Sequence, residues 1–316
     1  MPKVSIVVPI YGVEKYIERC ARSLFQQTFD DIEYIFVNDC TKDASLEVLQ
    51  SVIEEYPHRK EQTQILHHPE NRGLPQARKT GILAAKGDYV INFDSDDWVE
   101  HTITEVLYTK ASQDKADIVV CDIYKSNGTE HKFWKCGDVN LGKIDFLVQM
   151  CMMQYTWSTC NKLFKRNLFE DIIFPVCNNA EDMALTLQLI AKADKVTYVP
   201  QSLYYYYENP QSMTRVLTEE KVLKIIEEKQ ANNEIVFQVL KSVFPSDQYA
   251  KFVEMFKWQV KKLAWHMLLI DKRHYKYWKS IHSDINLSIF SNPYITIEDK
   301  IKYILTHLRV YPRQKL

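Results

Sequence analysis

Apolar positions in the first hundred residues follow two alternating patterns. Val4 to Pro9, Ile32 to Val37, Thr63 to His67 and Tyr89 to Phe93 are short runs rich in β-branched and aromatic residues, as expected of strands buried on both faces. Between them, Val13, Tyr16, Ile17, Cys20, Ala21 and Leu24 recur at helical spacing up to about Gln27. Ala44 to Glu55 predicts a second helix. Pro75 to Ala85 predicts a third, opened by a proline that a first helical turn tolerates. Strand and helix alternate four times, which predicts an α/β fold with a Rossmann-like, doubly wound, mainly parallel sheet.

The pattern loosens afterwards. Ile118 to Tyr124 predicts a further strand, and Ser126 to Thr129 a hairpin turn leading into Lys132 to Lys135. Lys143 to Met153 reads as a helix. Trp157 to Phe164 mixes aromatic and polar residues without a clean period, and fits either a substrate wall or ordinary core with a turn. Asn179 to Asp182 leads into a helix carrying Met183, Leu185, Leu187, Leu189 and Ile190, with acids in its first turn, where the helix dipole favours them. Ser202 to Glu208 predicts a strand. Two long amphipathic helices follow, one marked by Val222, Ile225, Ile226, Val236, Val239 and Leu240, the other by Phe252, Phe256, Val260, Leu263, Ala264 and Met267. The expected organisation is a catalytic α/β domain over 1–215 and a C-terminal helical appendage over 216–316.

Composition narrows the class. The 316 residues are 46% hydrophobic and 26% charged, ordinary values for a folded globular chain, so disorder is not expected. No apolar run approaches the roughly 20 residues needed to span a bilayer. Seven cysteines, an odd number without a CxxC pair, and no export signal at the start point to reduced thiols in the cytoplasm. The net charge of −1 hides an asymmetry: from Lys251 onward there are 13 lysines and arginines against 5 aspartates and glutamates. In that tail Lys257, Lys261 and Lys262 are interleaved with Trp258 and Trp265, which suits peripheral contact with an anionic membrane. It also suits, somewhat better, a helical bundle packed on the catalytic domain or forming a homodimer. No nucleic-acid motif accompanies the charge, so no nucleic-acid partner is expected.

The candidate chemistry sits between Gly87 and Trp98, where the strand Tyr89 to Phe93 runs out into Asp94, Ser95, Asp96 and Asp97. In open α/β sheets, ligands bind at the carboxyl ends of strands. Carboxylates this close raise one another's pKa unless a cation lies between them, and their oxygens suit Mg²⁺ or Mn²⁺. A solvated acidic turn capping the helix near Glu100 is the alternative. Phosphate-binding glycine loops of the GxGxxG and P-loop types are absent, and with seven glycines a metal is the natural substitute for a backbone phosphate cradle. Asp39 follows the second strand directly, placed to accept an N–H from a base. Asp43 reads as a helix start. Arg78, one turn into its helix, fits either a phosphate or pyrimidine contact or an ordinary surface arginine.

Pro9 to Tyr11, Asn38 to Ser45, Asn71 and Gly73 with Ala77, Arg78 and Gly81, and Gly87 to Asp97 occur in an order and at spacings that resemble the motifs of family 2 glycosyltransferases of the GT-A fold. The resemblance covers roughly Pro2 to Arg215. It implies an inverting hexosyl- or N-acetylhexosaminyl-transferase that uses a nucleotide sugar, a UDP-sugar first, and a divalent metal, on a glycan or lipid-linked acceptor. By the same resemblance, Pro9, Tyr11, Glu14, Asp39, Arg78, Asp94, Ser95 and Asp96 meet the nucleotide sugar, with Asp39 on the base. Asp94 and Asp96 form the DxD element, and Asp96 is the direct metal ligand. Asp182 is the implied base with Glu181 beside it, and Trp157, Asn161, Lys162 and Arg215 lie on the acceptor side, the last in a lid. Two departures, Asn38 for the usual Asp and Gly12 for the usual Asn, leave nucleotide preference open.

Rival readings are weaker. A haloacid-dehalogenase-like phosphatase expects its DxD on the first strand and Thr or Val where Trp98 stands. A sugar nucleotidylyltransferase expects a glycine-rich basic loop where Pro9 to Glu14 stands. A non-catalytic nucleotide-sugar binder would not need the intact Glu181-Asp182 pair.

Overall fold

The computed structural model describes residues 1–140, 142–208 and 218–309. Arg215 and the lid expected around it lie outside the described residues. The chain divides into two compact units, Met1–Ser212 and Met213–Leu316.

In the first unit the elements run β1 (Val4–Ile10), α1 (Ile17–Phe25), β2 (Ile32–Asn38), α2 (Ser45–Glu55), α3 (Pro57–Lys60), β3 (Thr63–His67), α4 (Leu74–Ala84), β4 (Tyr89–Asn92) and β5 (Trp98–Val99). They continue with α5 (Ile103–Asp114), β6 (Ile118–Ser126), β7 (His131–Trp134), α6 (Lys143–Cys151), β8 (Lys162–Lys165), α7 (Glu181–Lys192) and β9 (Val196–Tyr207). Among the described residues they build one sheet in the order β3-β2-β1-β4-β8-β6-β9-β5, with β7 on β6. Its first half, β3-β2-β1-β4, is wholly parallel, as the four strand-helix repeats predict. All seven residues of β1 are buried, so this strand forms the floor of the core.

Two glycines permit the close packing of this half. A Cβ on Gly81 of α4 would lie 2.3 Å from Val7 Cγ1, and one on Gly87 would lie 2.7 Å from the Ser5 backbone nitrogen. The helix therefore packs against β1, and the turn enters β4, only without side chains at these positions. Chain order reverses between β1 and β4, so their carboxyl ends open a crevice of the kind that holds ligands in doubly wound sheets.

The second half of the sheet is mixed. β8 runs antiparallel to both β4 and β6, while β6 and β9 are parallel with register shifts around Asp122. The periodicity did not predict β8, because Lys162 interrupts its apolar pattern although it is fully buried. β9 starts at Val196, six residues before the predicted Ser202. Pro200 breaks its strand signature, and the irregular register beside it accommodates the missing N–H.

The second unit is helical. α8 (Glu219–Val243) and α9 (Ser246–Ile270), 25 residues each, pack on one another, and α10 (Tyr275–Ser280) and α11 (Ile297–His307) follow. Val222, Ile226, Val236 and Leu240 of α8 and Phe252, Phe256, Val260 and Ala264 of α9 are buried, as the amphipathic spacing predicts. Lys261 is buried among them, and its ammonium caps the end of α10 by donating to the carbonyls of Trp278 at 2.9 Å and Ile281 at 2.6 Å. No helix among the described residues is long and apolar enough to cross a membrane.

Candidate active site

Four loops at the carboxyl edge of the parallel strands supply the site. The first two, after β1 and β2, are tied together. Gly12 N–H donates to Thr41, Glu14 N–H donates to Asp43, and the Glu14 carboxylate accepts from Ala44 N–H at the start of α2. Asp43 also accepts from Ser45 N–H and Oγ, in keeping with its expected place at a helix start. Pro9 is buried within β1, whereas Tyr11 is 54% exposed at the rim.

Asp39 is 3% exposed and organises the third loop. Its Oδ1 accepts from Arg72 N–H at 2.8 Å and pairs with His68 Nδ1 at 2.7 Å, and its Oδ2 accepts from Gly73 N–H at 2.8 Å. His68 Nε2 meets Thr80 Oγ1 at 2.9 Å, so a proton on Nδ1 satisfies both partners. Gly73 takes φ +86°, a backbone that its lack of a side chain permits, and opens α4. A carboxylate offers about four acceptor positions, so one remains on Asp39 for an outside donor.

Arg78 is 2% exposed, which rules out a surface role. Its guanidinium donates through Nη2 to Asp94 Oδ1 at 2.7 Å and through Nη1 to Asp182 Oδ1 at 2.7 Å and to Glu181. One buried cation on α4 thus joins the end of β4 to the start of α7, elements far apart in sequence. Thr159 Oγ1 donates to the same Asp182 oxygen at 3.1 Å. Burial disfavours the charge on Arg78, but the Glu181, Asp182 and Asp94 carboxylates outweigh it and hold its pKa well above the usual value. Burial pushes the Glu181 carboxyl well above its ordinary range; Arg78 opposes this and Asp182 adds to it. Asp94 is raised for the same reason, burial first, with Arg78 pulling the other way.

The remaining acids divide by role. Asp97 is buried and accepts from Tyr207 N–H at 2.7 Å and from the Tyr204 hydroxyl, which itself accepts from Asp94 N–H. It anchors β9 under the acidic loop. Burial, with the charges of Asp96 and Asp94, raises its pKa well above normal. Ser95 is buried in the turn and Asp96 is half-buried. The Asp96 carbonyl accepts from Arg19 Nη2 at 2.8 Å, and the Arg19 guanidinium lies 3.7 Å over the Trp98 ring and 4.8 Å from the Tyr207 ring.

Among the described residues no group of three or more His, Cys, Asp or Glu side chains converges as a metal cage. A cation arriving with a diphosphate needs only one or two protein carboxylates, phosphate oxygens and water completing its shell. Asp94 and Asp96 are hard oxygen donors of this kind, so the residues present fit a divalent ion bound together with a nucleotide.

The expected acceptor-side residues separate. Trp157 is half-buried, its Nε1 donating to Met150 O at 2.8 Å. Asn161 and Lys162 are fully buried. Lys162 Nζ donates to Thr156 O, Ser158 O and Asn161 Oδ1, and Asn161 Nδ2 donates to Cys121 O. These two brace the 156–162 turn from inside and present no surface to a bound acceptor, contrary to the expectation for them. Sequence reasoning missed His68, Arg19, Thr159 and Tyr204. His68 carried a legible signal, since it follows β3 directly at the ligand edge; Arg19 looked like the polar side of an amphipathic helix.

Comparison with known proteins gives a consistent result. The sequence model described as glycosyl transferase family 2 matches residues 5–179. The "Uncharacterized glycosyltransferase EpsJ" of Bacillus subtilis is 34% identical over 226 residues, 68% of this chain and 64% of that relative's length. The crystal structure of S. aureus TarS 1-349 in complex with UDP-GlcNAc shares the fold at a TM-score of 0.66 and 17% identity, over 98% of this chain and 82% of that one. The mannosyltransferase PcManGT from Pyrobaculum calidifontis, in complex with GDP-Man and Mn²⁺, does so at 0.57 and 14% identity, over 98% and 87%.

Proposed function

The chain belongs to glycosyl transferase family 2, and on that premise we propose that it transfers a hexosyl or N-acetylhexosaminyl group, with inversion, from a nucleotide sugar to an acceptor hydroxyl. A UDP-sugar is the first candidate donor. The observation that carries the reading is the convergence of Asp94, Glu181 and Asp182 on Arg78 at the carboxyl edge of β4. A link through Arg78 between Asp94, the first acid of the Asp94–Asp96 pair, and the carboxylate we assign as base supports that reading.

Asp96, with Asp94, is the place for Mn²⁺ or Mg²⁺, which when bound supplies charge stabilisation to the diphosphate leaving group. Asp182 is one-third exposed, open enough to reach an acceptor hydroxyl. In transfer it takes the hydroxyl proton as that oxygen bonds to the anomeric carbon and the bond from carbon to diphosphate oxygen breaks. Arg78 and Thr159 orient the Asp182 carboxylate, and Asp39 retains one acceptor position for the base of the nucleotide. A surface glycan, including a lipid-linked one, is the acceptor class we propose. The basic second unit supports peripheral contact with an anionic membrane, where such acceptors reside.

Calorimetric titration of UDP with Mn²⁺, repeated with EDTA and with Asp96→Asn, tests the donor site. Binding that needs both the metal and Asp96 supports the reading. If UDP, GDP, CDP and dTDP all fail to bind, these carboxylates serve another reaction.

A further inference from the structure

The second unit contains a cavity that takes no part in the proposed transfer. It has a volume of about 330 Å³ and lies among α8, α9 and α11, lined by Lys229, Trp258, Lys262, Trp265, Lys302 and Thr306. A space of this size admits a small ligand. Every residue named lies within Met213–Leu316, so the cavity shares nothing with the Arg78 cluster.

Its polar groups are out of balance. Lys262 pairs with Asp299 at 3.0 Å, and Lys302 with Glu298 at 2.6 Å. The Lys229 ammonium has no ion pair or hydrogen bond among the described residues, and both influences on it, burial and the charge of Lys262, disfavour its protonated form. Trp258 is 3% exposed, and its Nε1–H is buried without an acceptor. Trp265 is fixed by its Nε1 donating to Thr306 Oγ1 at 2.9 Å.

Buried donors and like charges facing one another cost free energy unless a ligand satisfies them. An anion with several acceptor oxygens relieves the Lys229–Lys262 repulsion and supplies an acceptor to the Trp258 N–H. The indoles meanwhile offer apolar faces to a ring or a short carbon chain. We propose that this cavity binds a phosphate ester, its phosphate on Lys229 and Lys262 and its organic part against Trp258 and Trp265. Such a group belongs to a soluble sugar or polyol phosphate or to the head group of an anionic lipid.

The test is tryptophan fluorescence and melting temperature of the whole protein in EDTA, titrated with inorganic phosphate, glucose 1-phosphate and phosphatidylglycerol vesicles. Sodium chloride at matched ionic strength is the control. The wild type is expected to respond saturably and to melt higher with ligand. Lys229→Met is expected to melt no lower than the wild type without ligand, since it removes a half-buried, unpaired ammonium disfavoured by burial and by Lys262, and to bind about tenfold more weakly or worse. Lys229→Gln, which keeps a polar chain, is expected to show the same weakening. Asp96→Asn should respond like the wild type, which separates this cavity from the donor site. A response to soluble phosphates that Lys229→Met loses assigns a small phosphate ester; one to vesicles alone, lost in the same variant, assigns a head group. The proposal is overturned if Lys229→Met binds like the wild type, if salt alone reproduces the response, or if no probe gives a saturable one.

Discussion

Arg78 brings one positive charge to three carboxylates, so with all of them ionised the cluster carries an excess of two negative charges. A proton relieves part of that excess, and Glu181, the most buried of the three, is where the pKa rises well above its usual value. A divalent cation beside Asp94 would relieve all of it, which gives the site a physical reason to bind metal and donor together. In the folded protein Glu181 holds its proton above the ordinary glutamate pKa, while the unfolded chain has already released it. The folded state then binds more protons, so this group's contribution to stability falls as pH rises above about 4.3. Glu181→Gln should therefore fold, and its melting temperature should lose the part of the wild-type decline above about pH 4.3 that belongs to this group; an unchanged profile refutes the assignment. Asp182→Asn should lower turnover by at least about 10²-fold while UDP binding by calorimetry stays unchanged. Arg78→Met strands buried carboxylates without their counter-charge and should cost about 3–5 kcal/mol in urea denaturation.

At the scale of elements, the parallel half of the sheet was legible because each strand is a short apolar run buried on both faces, with an amphipathic helix after it. The mixed half was not. β8 is four residues long and contains a lysine whose charge is satisfied by Thr156, Ser158 and Asn161, information that lies in the fold and in no local pattern. The same limit applies to the site. Asp94 and Asp96 could be expected at a ligand edge from their position after a strand, whereas Glu181 and Asp182 read by position only as acids in a first helical turn and come to the site by the resemblance to family 2. That Arg78 binds three of these acids could not be expected, because its partners lie 16, 103 and 104 positions away. Gly81 shows a motif position with a purely steric cause. Gly81→Ala should overpack α4 against Val7 and cost about 1–3 kcal/mol by chemical denaturation, despite alanine's higher helix propensity. Stability equal to the wild type would mean that α4 moves away from β1 at little cost.

At the scale of the whole molecule, the basic end of the chain also carries an exposed apolar stripe. The 13 basic residues against 5 acidic ones from Lys251 onward belong to the second unit, and there Ile297, Ile301, Ile304 and Leu308 are 77%, 51%, 44% and 66% exposed. Their spacing puts them on one side of α11 and its last turn, an apolar stripe in a basic neighbourhood, which is the chemistry of a helix lying in an anionic membrane surface. Each lysine or arginine near such a surface contributes about 1 kcal/mol, and the apolar stripe adds a part that salt does not screen. The protein should therefore float with phosphatidylglycerol vesicles at low salt and less so at high salt. Ile301→Glu combined with Leu308→Glu should leave it in the pellet fraction without changing any UDP binding, because neither residue belongs to the proposed donor site. If the wild type fails to float at low salt and sediments as a dimer that the double variant converts to monomer, the stripe is an interface between two copies, and the basic charge is only solvated.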